Sequence, residues 1–597
     1  MKNISKNIKI LFVGLMLVSI AACDLNEFPE HRASRETIFG SASAMELYVN
    51  SFYRRIHSTE DGVYLIDDQT DLMAGRLISD RFRPGQLTPV TSGGWGQTDE
   101  WSWLRNINYF IEHAENSSIA ERHHFMGVAH FFRAWWYYDR VKRFGDVPWI
   151  DVAIDPLDDE RLYAGRDSRF FIMDRIVEDL DFAIANISME NDPTSTRITK
   201  NVARAFKSRV CLYEGSLRKY HTNYSMQHTA NDWFRKAVEA ANAVTGHSLR
   251  EGDNVYRDMF LQKAPYADET ILAIALSADL QLFSARNRKT ISPTYGNRPA
   301  LTRRFVLTYL NSDGTPFSSR PDYRRQTYME EIVGRDPRLG QTIRMPNYVR
   351  TSGGTPMAAP PNMEQSITGY QIIKGCYDEM APFDNESRNE NAHLVIRYAE
   401  VLLNKAEALV ELGEMTPAEW DNTIGALRRR AGITGNLERP TGAADPYMVE
   451  FYDNKWTDAV MLEVLRERTV ELVQEGLRPD DLVRWRLGNL FAETPFNGIY
   501  VPGLGGMGFT GTEDGTEENP WNVYFYQGTR PENVSARYFM DVTPSTATGR
   551  RQLSNGDHGE IMWFIGEREW QDRLYLYPIP ESALLRNPEL GQNPGWE

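Results

Sequence analysis

The chain has 597 residues, of which 41% are hydrophobic, 12% aromatic and 25% charged, a composition that buries a large core and excludes a disordered chain. A mean hydropathy of -0.49 excludes a polytopic membrane protein. The formal net charge is -16 at pH 7, or about -19 for a chain beginning at residue 23, and arginine is scattered along the sequence, so a nucleic-acid-binding surface is excluded too.

Lys2, Lys6 and Lys9 precede an apolar run over residues 10–20 that closes in Ala21, Ala22 and Cys23. The run falls short of the roughly 20 residues a spanning helix needs, and residues 1–22 read as a signal peptide. Small residues ahead of a cysteine at this point resemble a bacterial lipobox, so Cys23 is expected to be acylated and to become the first mature residue. The competing account is an ordinary secretory cleavage site with a cysteine nearby by chance. More than one acyl chain makes such an anchor stable, since each buried methylene adds about 0.8 kcal/mol. No later stretch approaches the length of a span; the longest apolar run covers residues 271–278.

Residues 62–100 form a first loop-like stretch with short apolar runs, containing the acidic group Asp67, Asp68 and Asp71 and the loop around Trp95. Helical periodicity then appears over residues 128–145, 202–215 and 398–413. Each segment combines alanines for close approach, large apolar residues at helical spacing and a closing glycine expected to serve as a C-cap. Second helices are expected over 233–244 and 417–430, with Pro417 suited to a helix start. Such pairs cannot bury their apolar faces alone and must stack, as tetratricopeptide units do. The fold expected is therefore mainly α, a tetratricopeptide-like helical-repeat scaffold joined to a loop-rich half with short strands. Its divisions are residues 1–22, 23–248 and 249–597. Residues 62–100, 249–390 and 491–560 read as long loops with short strands, and loops of that length are uncommon unless they do something, so the ligand surface is expected there.

The familiar catalytic signatures are missing or out of context. Residues 503–508 match G-x-G-x-x-G, but Pro502 precedes them and an acidic Thr/Gly run follows, so a turning loop is expected there and not a dinucleotide site. There is no G-x-x-x-x-G-K-[ST], G-x-S-x-G or H-E-x-x-H. Cys211 and Cys376 read as buried small hydrophobes. His123, His124 and His130 lack a completing ligand set for zinc. The acidic group at 67–71 and that at Glu513, Asp514, Glu517 and Glu518 offer oxygens to Ca2+ without EF-hand spacing, so no cofactor is expected and structural calcium is unsupported. A glycosidase needs two carboxylates, which 82 acidic residues neither exclude nor locate. Trp95, presented by Gly93-Gly-Trp-Gly-Gln97, offers a ring for the apolar face of a pyranose, with core packing of the loop as the competing account. Tyr295 has the same character. Trp101 and Trp103 enter a helix and read as core, with Trp101 at its edge.

Eight motifs in order add a resemblance. They are the lipobox with Cys23; Arg133-Ala-Trp-Trp-Tyr-Tyr-Asp139 with Arg143-Phe-Gly-Asp-Val-Pro148; Arg335-Asp-Pro-Arg-Leu339; and Thr368-Gly-Tyr370 with Lys374. There follow Val395 to Glu407; Leu427-Arg-Arg-Arg-Ala-Gly-Ile433; Arg466-Glu-Arg468 through Glu471, Glu475 and Asp481 to Trp485; and Tyr575-Leu-Tyr-Pro-Ile-Pro580 running to Trp596. Together they resemble the SusD/RagB family of Bacteroidetes outer-membrane lipoproteins. The resemblance implies a tetratricopeptide-type scaffold, surface exposure on the outer membrane, partnership with a SusC-like TonB-dependent transporter, and binding of a glycan, or sometimes a peptide, without cleavage. Most of these motifs read as scaffold: Arg466, Glu467, Glu471 and Glu475 are expected to pair with Arg484 or Arg486, and Tyr577-Pro-Ile-Pro580 to brace the fold. Asp67, Asp68, Arg76 and Arg298 are nominated beside Trp95, Tyr295 and Trp101 as ligand contacts. A glycosidase and a repeat scaffold binding only protein are the rival readings.

Overall fold

The computed structural model describes residues 35–57, 67, 70–76, 78–96, 100–292, 298–364, 366–512, 520–534 and 539–597. Cys23, Asp68, Tyr295 and the acidic group at 513–518 lie outside the described residues.

Helices carry most of the regular structure. The main ones are α1 (Ala42–Asn50), α2 (Glu100–Ala114), α3 (Arg122–Phe144), α4 (Arg169–Asn186), α5 (Lys200–Tyr220), α6 (Ala230–Asn242), α7 (Tyr398–Leu412), α8 (Ala459–Glu471) and α9 (Arg478–Arg484). α3 packs on α4, α5 on α6, α6 on α7 and α7 on α8, so consecutive helices stack as repeats do. Small residues admit close approach in this stack. Gly215 shows this against expectation: it lies inside α5, which runs on to Tyr220, and a Cβ there would come within 2.8 Å of the Phe234 ring on α6. It is a packing glycine, not the C-cap the pattern suggested. Gly413, by contrast, ends α7 in the left-handed conformation at φ 73° and donates to the carbonyls of Leu409 and Val410. Residues 417–430 are helical, with Thr416 as N-cap and Pro417 in the first turn, and a π-helical turn over Asp421–Gly425.

The second half is built from short strands. The apolar run near residue 271 is β1 (Thr270–Ile274), paired antiparallel with β2 (His393–Arg397), which feeds directly into α7. Further on, β3 (Phe496–Val501) pairs with β8 (Gly559–Phe564), which pairs with β7 (Arg550–Leu553). A second sheet has β4 (Gly505–Thr512), β5 (Pro520–Tyr526) and β6 (Phe539–Asp541) in the order β6-β5-β4. The G-x-G-x-x-G segment is thus largely a strand, not the turning loop expected.

A buried ionic cluster ties the two halves. Arg338 reaches Asp336, Glu467 and Glu471; Arg397 reaches Glu269, Glu471 and Glu475; Arg430 reaches Glu269 and Glu471. These three guanidinium groups hold the Glu471 carboxyl far below the usual carboxylate range despite its burial. The pairing differs from the sequence expectation. Arg484 turns to Glu407 on α7 and to Asp481, Arg486 pairs with Asp572, and Arg466 takes Asp445 and Glu463. Arg484 and the neighbouring Trp485 indole both face Glu407 of α7, so Arg484 is committed there and not to the α8 carboxylates. The Arg335-Asp-Pro-Arg338 motif explains itself here: Asp336 caps a short helix begun by Pro337, and Arg338 is delivered into the cluster.

The C-terminal tail returns to the end of α3. The Tyr577 N–H donates to the Arg143 carbonyl, the Arg143 guanidinium lies 4.0 Å from the centre of the Tyr577 ring, and Asn593 donates to the carbonyls of Phe144 and Tyr577. The Tyr-Pro-Ile-Pro brace is therefore anchored on the helix end whose Gly145 leaves room for Leu576.

Candidate functional site

A cavity of about 600 Å3 opens where three parts of the chain meet: the start of α2, the extended segment after α3, and the returning tail. That volume lies within the range of small-molecule sites, about 300–1,000 Å3. Pro148 and Pro156 bracket an alternation of Ile150, Val152 and Ile154 that lines one wall, and Leu590 lines another. The segment is held open by α2 and α3. Asn108 donates to the carbonyls of Ile150 and Val152, and the Tyr137 hydroxyl exchanges hydrogen bonds with the backbone of Ile150.

Trp95 and Trp101 line this cavity together. Two α3 side chains fix the Gly93–Gly94 turn, Arg140 donating to the Gly94 carbonyl and Arg143 to that of Gly93. Gly94 has φ +84°, and a Cβ there would sit 3.2 Å from the Arg143 guanidinium carbon. The Trp95 ring is only 4% exposed and meets Trp101 and Phe144 edge-on at 5.7 and 5.0 Å. It forms a floor, as the core-packing account of the loop has it and not as a ring thrust into solvent, because Phe144 of α3 supplies the apolar partner that the loop lacks. Trp101 is partly exposed, and its indole N–H donates to the Trp95 carbonyl at 2.5 Å. Arg105, Arg161 and Arg586 also line the cavity. Arg161 has Asp158 at 3.6 Å, whereas Arg105 and Arg586 have no carboxylate partner among the described residues.

The other nominated residues fall elsewhere. Asp67 is 0% exposed and accepts a hydrogen bond from the Gln474 N–H at 2.6 Å. Burial, opposed only in part by that bond and by Lys374 and Arg478, pushes its carboxyl up to about 7. Its carboxylate is enclosed by the scaffold and does not present itself to a ligand at the surface, which corrects its nomination. Arg76 is exposed and Arg298 partly so, and the charge of Arg76 adds to burial in lowering the Arg298 guanidinium. The Trp563 indole donates to the Gly75 carbonyl, tying this basic pair to β8 and away from the cavity's three walls.

Other polar groups have structural partners. His130 lies against Asp179 at 2.6 Å and stacks on Phe182, and burial lowers its pKa. Among the described residues no group of three or more His, Cys, Asp or Glu is arranged to hold a metal ion. Cys211 is buried and its thiol is pushed up to about 12, which leaves it without nucleophilic character. Among the described residues no helix is long and apolar enough to cross a membrane.

The cavity's second and third walls were not singled out from the sequence. The signal was present in the period-two apolar alternation between Pro148 and Pro156, which marks an extended segment with one buried side.

Comparison with known proteins decides the relationship. Residues 275–596 match the model of the SusD family. The chain belongs to the SusD family. Residues 101–212, which include all of α2 but its first residue, α3 and the cavity's extended wall, match a second model described as starch-binding and associating with the outer membrane. Two SusD-like proteins of Formosa agariphila are similar along most of their length. P2 is 22% identical over 515 residues, covering 81% of this chain and 92% of the relative; P38 is 25% identical over 504 residues, covering 80% and 91%. Among solved structures, a SusD-like carbohydrate-binding protein from Bacteroides fragilis superposes with a TM-score of 0.65 at 20% identity, over 93% of this chain and 100% of that one. A surface glycan-binding protein A from Bacteroides fluxus gives 0.56 at 16%, over 93% and 99%. These structures share the SusD fold: mainly helical, with few short strands.

Proposed function

We propose that this SusD-family protein binds oligosaccharide or polysaccharide at the cell surface without cleaving it. It then hands the glycan to a SusC-like TonB-dependent transporter, while acylated Cys23 holds it to the outer membrane. The observation that carries the reading is the family match over residues 275–596. The cavity floored by Trp95 and edged by Trp101 supports it as a binding site. An indole at the rim stacks on the apolar face of a sugar ring, and Arg105 and Arg586, which have no carboxylate partner among the described residues, donate to hydroxyl or carboxylate oxygens. Helices stacked as repeats supply a continuous face for the transporter. No step of bond cleavage is assigned to any residue.

The aliphatic lining by Ile150, Val152 and Leu590 favours one second reading, a peptide whose apolar side chain enters the cavity. The test is affinity electrophoresis of the soluble form, starting after Cys23, in gels containing amylopectin, xylan, pectin, alginate or mucin, alongside Trp101→Ala. Retardation by one of these, weakened about fivefold or more by the loss of one stacking ring, supports the reading. Retardation equal in wild type and variant discards the cavity as the site. Retardation by none moves the function to peptide or protein binding.

A further inference from the structure

The β6-β5-β4 sheet has an unusual outer face. Side chains alternate along its strands: Val523, Phe525 and Met540 are fully buried, whereas Tyr524, Tyr526, Phe539 and Asp541 are partly exposed. One face thus packs on the core and the other meets water. A sheet face that serves only to meet water ordinarily carries polar side chains, yet this one carries three aromatic rings.

The rings lie flat. Tyr524 and Tyr526 are 6.3 Å apart with planes inclined by 14°, and Tyr526 and Phe539 are 6.5 Å apart with planes inclined by 18°. Gly506 on β4 stands opposite Tyr524, and a Cβ at Gly506 would come within 2.9 Å of the Tyr524 ring. The ring therefore leans across the glycine backbone, in the manner by which aromatic residues cover glycines of a neighbouring strand. The other two rings are nearly parallel to one another and to it, and both are partly exposed. The glycines of the 503–508 segment thereby acquire a role: at position 506 only glycine leaves space for the ring.

Polar groups border the rings. Asp541, directly across from Tyr526, accepts from the backbone and hydroxyl of Thr543 and lies 3.9 Å from Arg550, which is 62% exposed. Neither tyrosine hydroxyl has a hydrogen-bond partner among the described residues.

We propose that this face is a second carbohydrate platform, separate from the cavity, on which Tyr524, Tyr526 and Phe539 stack against pyranose rings while Asp541 and Arg550 engage hydroxyls. The inference rests on the glycan reading above. The match is one of charge as well as shape: ring faces carry the negative side of the aromatic quadrupole and meet the positively polarised C–H faces of a sugar. A peptide strand would add to a sheet edge and not to its face, and a nucleic acid would be repelled by the net charge of -16.

The test uses the same five gels with the Tyr524→Ala/Tyr526→Ala double variant and with Tyr526→Trp. The polysaccharide that retards wild type is expected to hold the double variant about tenfold less tightly, with an unchanged thermal midpoint, and to hold Tyr526→Trp at least as well as wild type. Equal retardation of wild type and double variant overturns the platform and leaves the cavity and the family function standing. Weakening of Tyr526→Trp to the level of the double variant also overturns it, since a larger ring face is then no help. Retardation of no protein in any gel overturns the glycan reading and the platform together.

Discussion

Asp67 provides a direct test of the burial argument, because the structure gives it an energetic signature that a ligand-binding carboxylate would lack. Its carboxyl is fully enclosed, accepts one hydrogen bond from Gln474, and titrates near 7 instead of 3.8. A carboxyl whose folded pKa is raised contributes stability that is full below the unfolded value and is lost as pH rises through the folded one. Between pH 3.8 and about 7 the protein therefore loses stability at this site. At 1.36 kcal/mol per pH unit, the raised carboxyl costs about 4 kcal/mol at pH 8, where Asp67 is ionised in both states, but only about 2 kcal/mol at pH 5, where the folded carboxyl is still protonated and only the unfolded one ionises. Asp67→Asn keeps an oxygen for the Gln474 N–H and removes the titration. Urea midpoints of wild type and variant at both pH values give the comparison, with the slopes fitted separately. The variant is expected to be more stable at both, by about 2–3 kcal/mol more at pH 8 than at pH 5. A difference between variant and wild type that is the same at both pH values refutes the buried, raised carboxyl.

Two further substitutions probe the packing that positions the sites. Arg338→Met removes one of the three cations around Glu471 and strands Asp336 without its partner, so the urea midpoint is expected to fall by an amount equivalent to about 3–5 kcal/mol; a fall below about 1 kcal/mol would mean that the cluster rearranges to compensate. Gly215→Val drives a branched side chain into the Phe234 ring, 2.8 Å from the position of its Cβ, and is expected to cost about 1–3 kcal/mol, read as a lower thermal midpoint. An unchanged midpoint would show that α5 and α6 separate easily and that the stack is not held by this close approach.

What the sequence made legible follows physical locality. Helices announced themselves because their period and caps are local. Gly413 closes α7 in the left-handed conformation, Pro417 opens the next helical segment, and the alanine-rich faces of α3 and α5 are buried as their pattern implied. Ion pairs were legible as residues and illegible as partners. Glu467, Glu471 and Glu475 sit at helical spacing on or just beyond one helix, but their cations come from positions 338, 374, 397, 428 and 430, which only the tertiary fold brings together. Gly215 misled for the same reason. A glycine that ends a helix and one that admits a neighbouring ring look alike until the neighbour is known.

The aromatic residues show why ligand sites resist this kind of reading more than cores do. Trp95 in a Gly-rich loop left exposure and core packing both open, because its loop offers no helical face of its own, and Phe144, forty-nine positions away, together with Trp101 decides for burial. Tyr524 and Tyr526 were not singled out within residues 491–560, where loops with short strands were expected, and it is the alternation with buried Val523 and Phe525 that leaves them partly exposed. In each case the deciding fact is which side of an element faces protein. For strands that fact is binary: shifting the register by one residue exchanges the two faces. The Gly506↔Tyr524 pairing fixes that register in β5, so the same glycine-rich segment that suggested a nucleotide loop determines which aromatic rings reach the solvent.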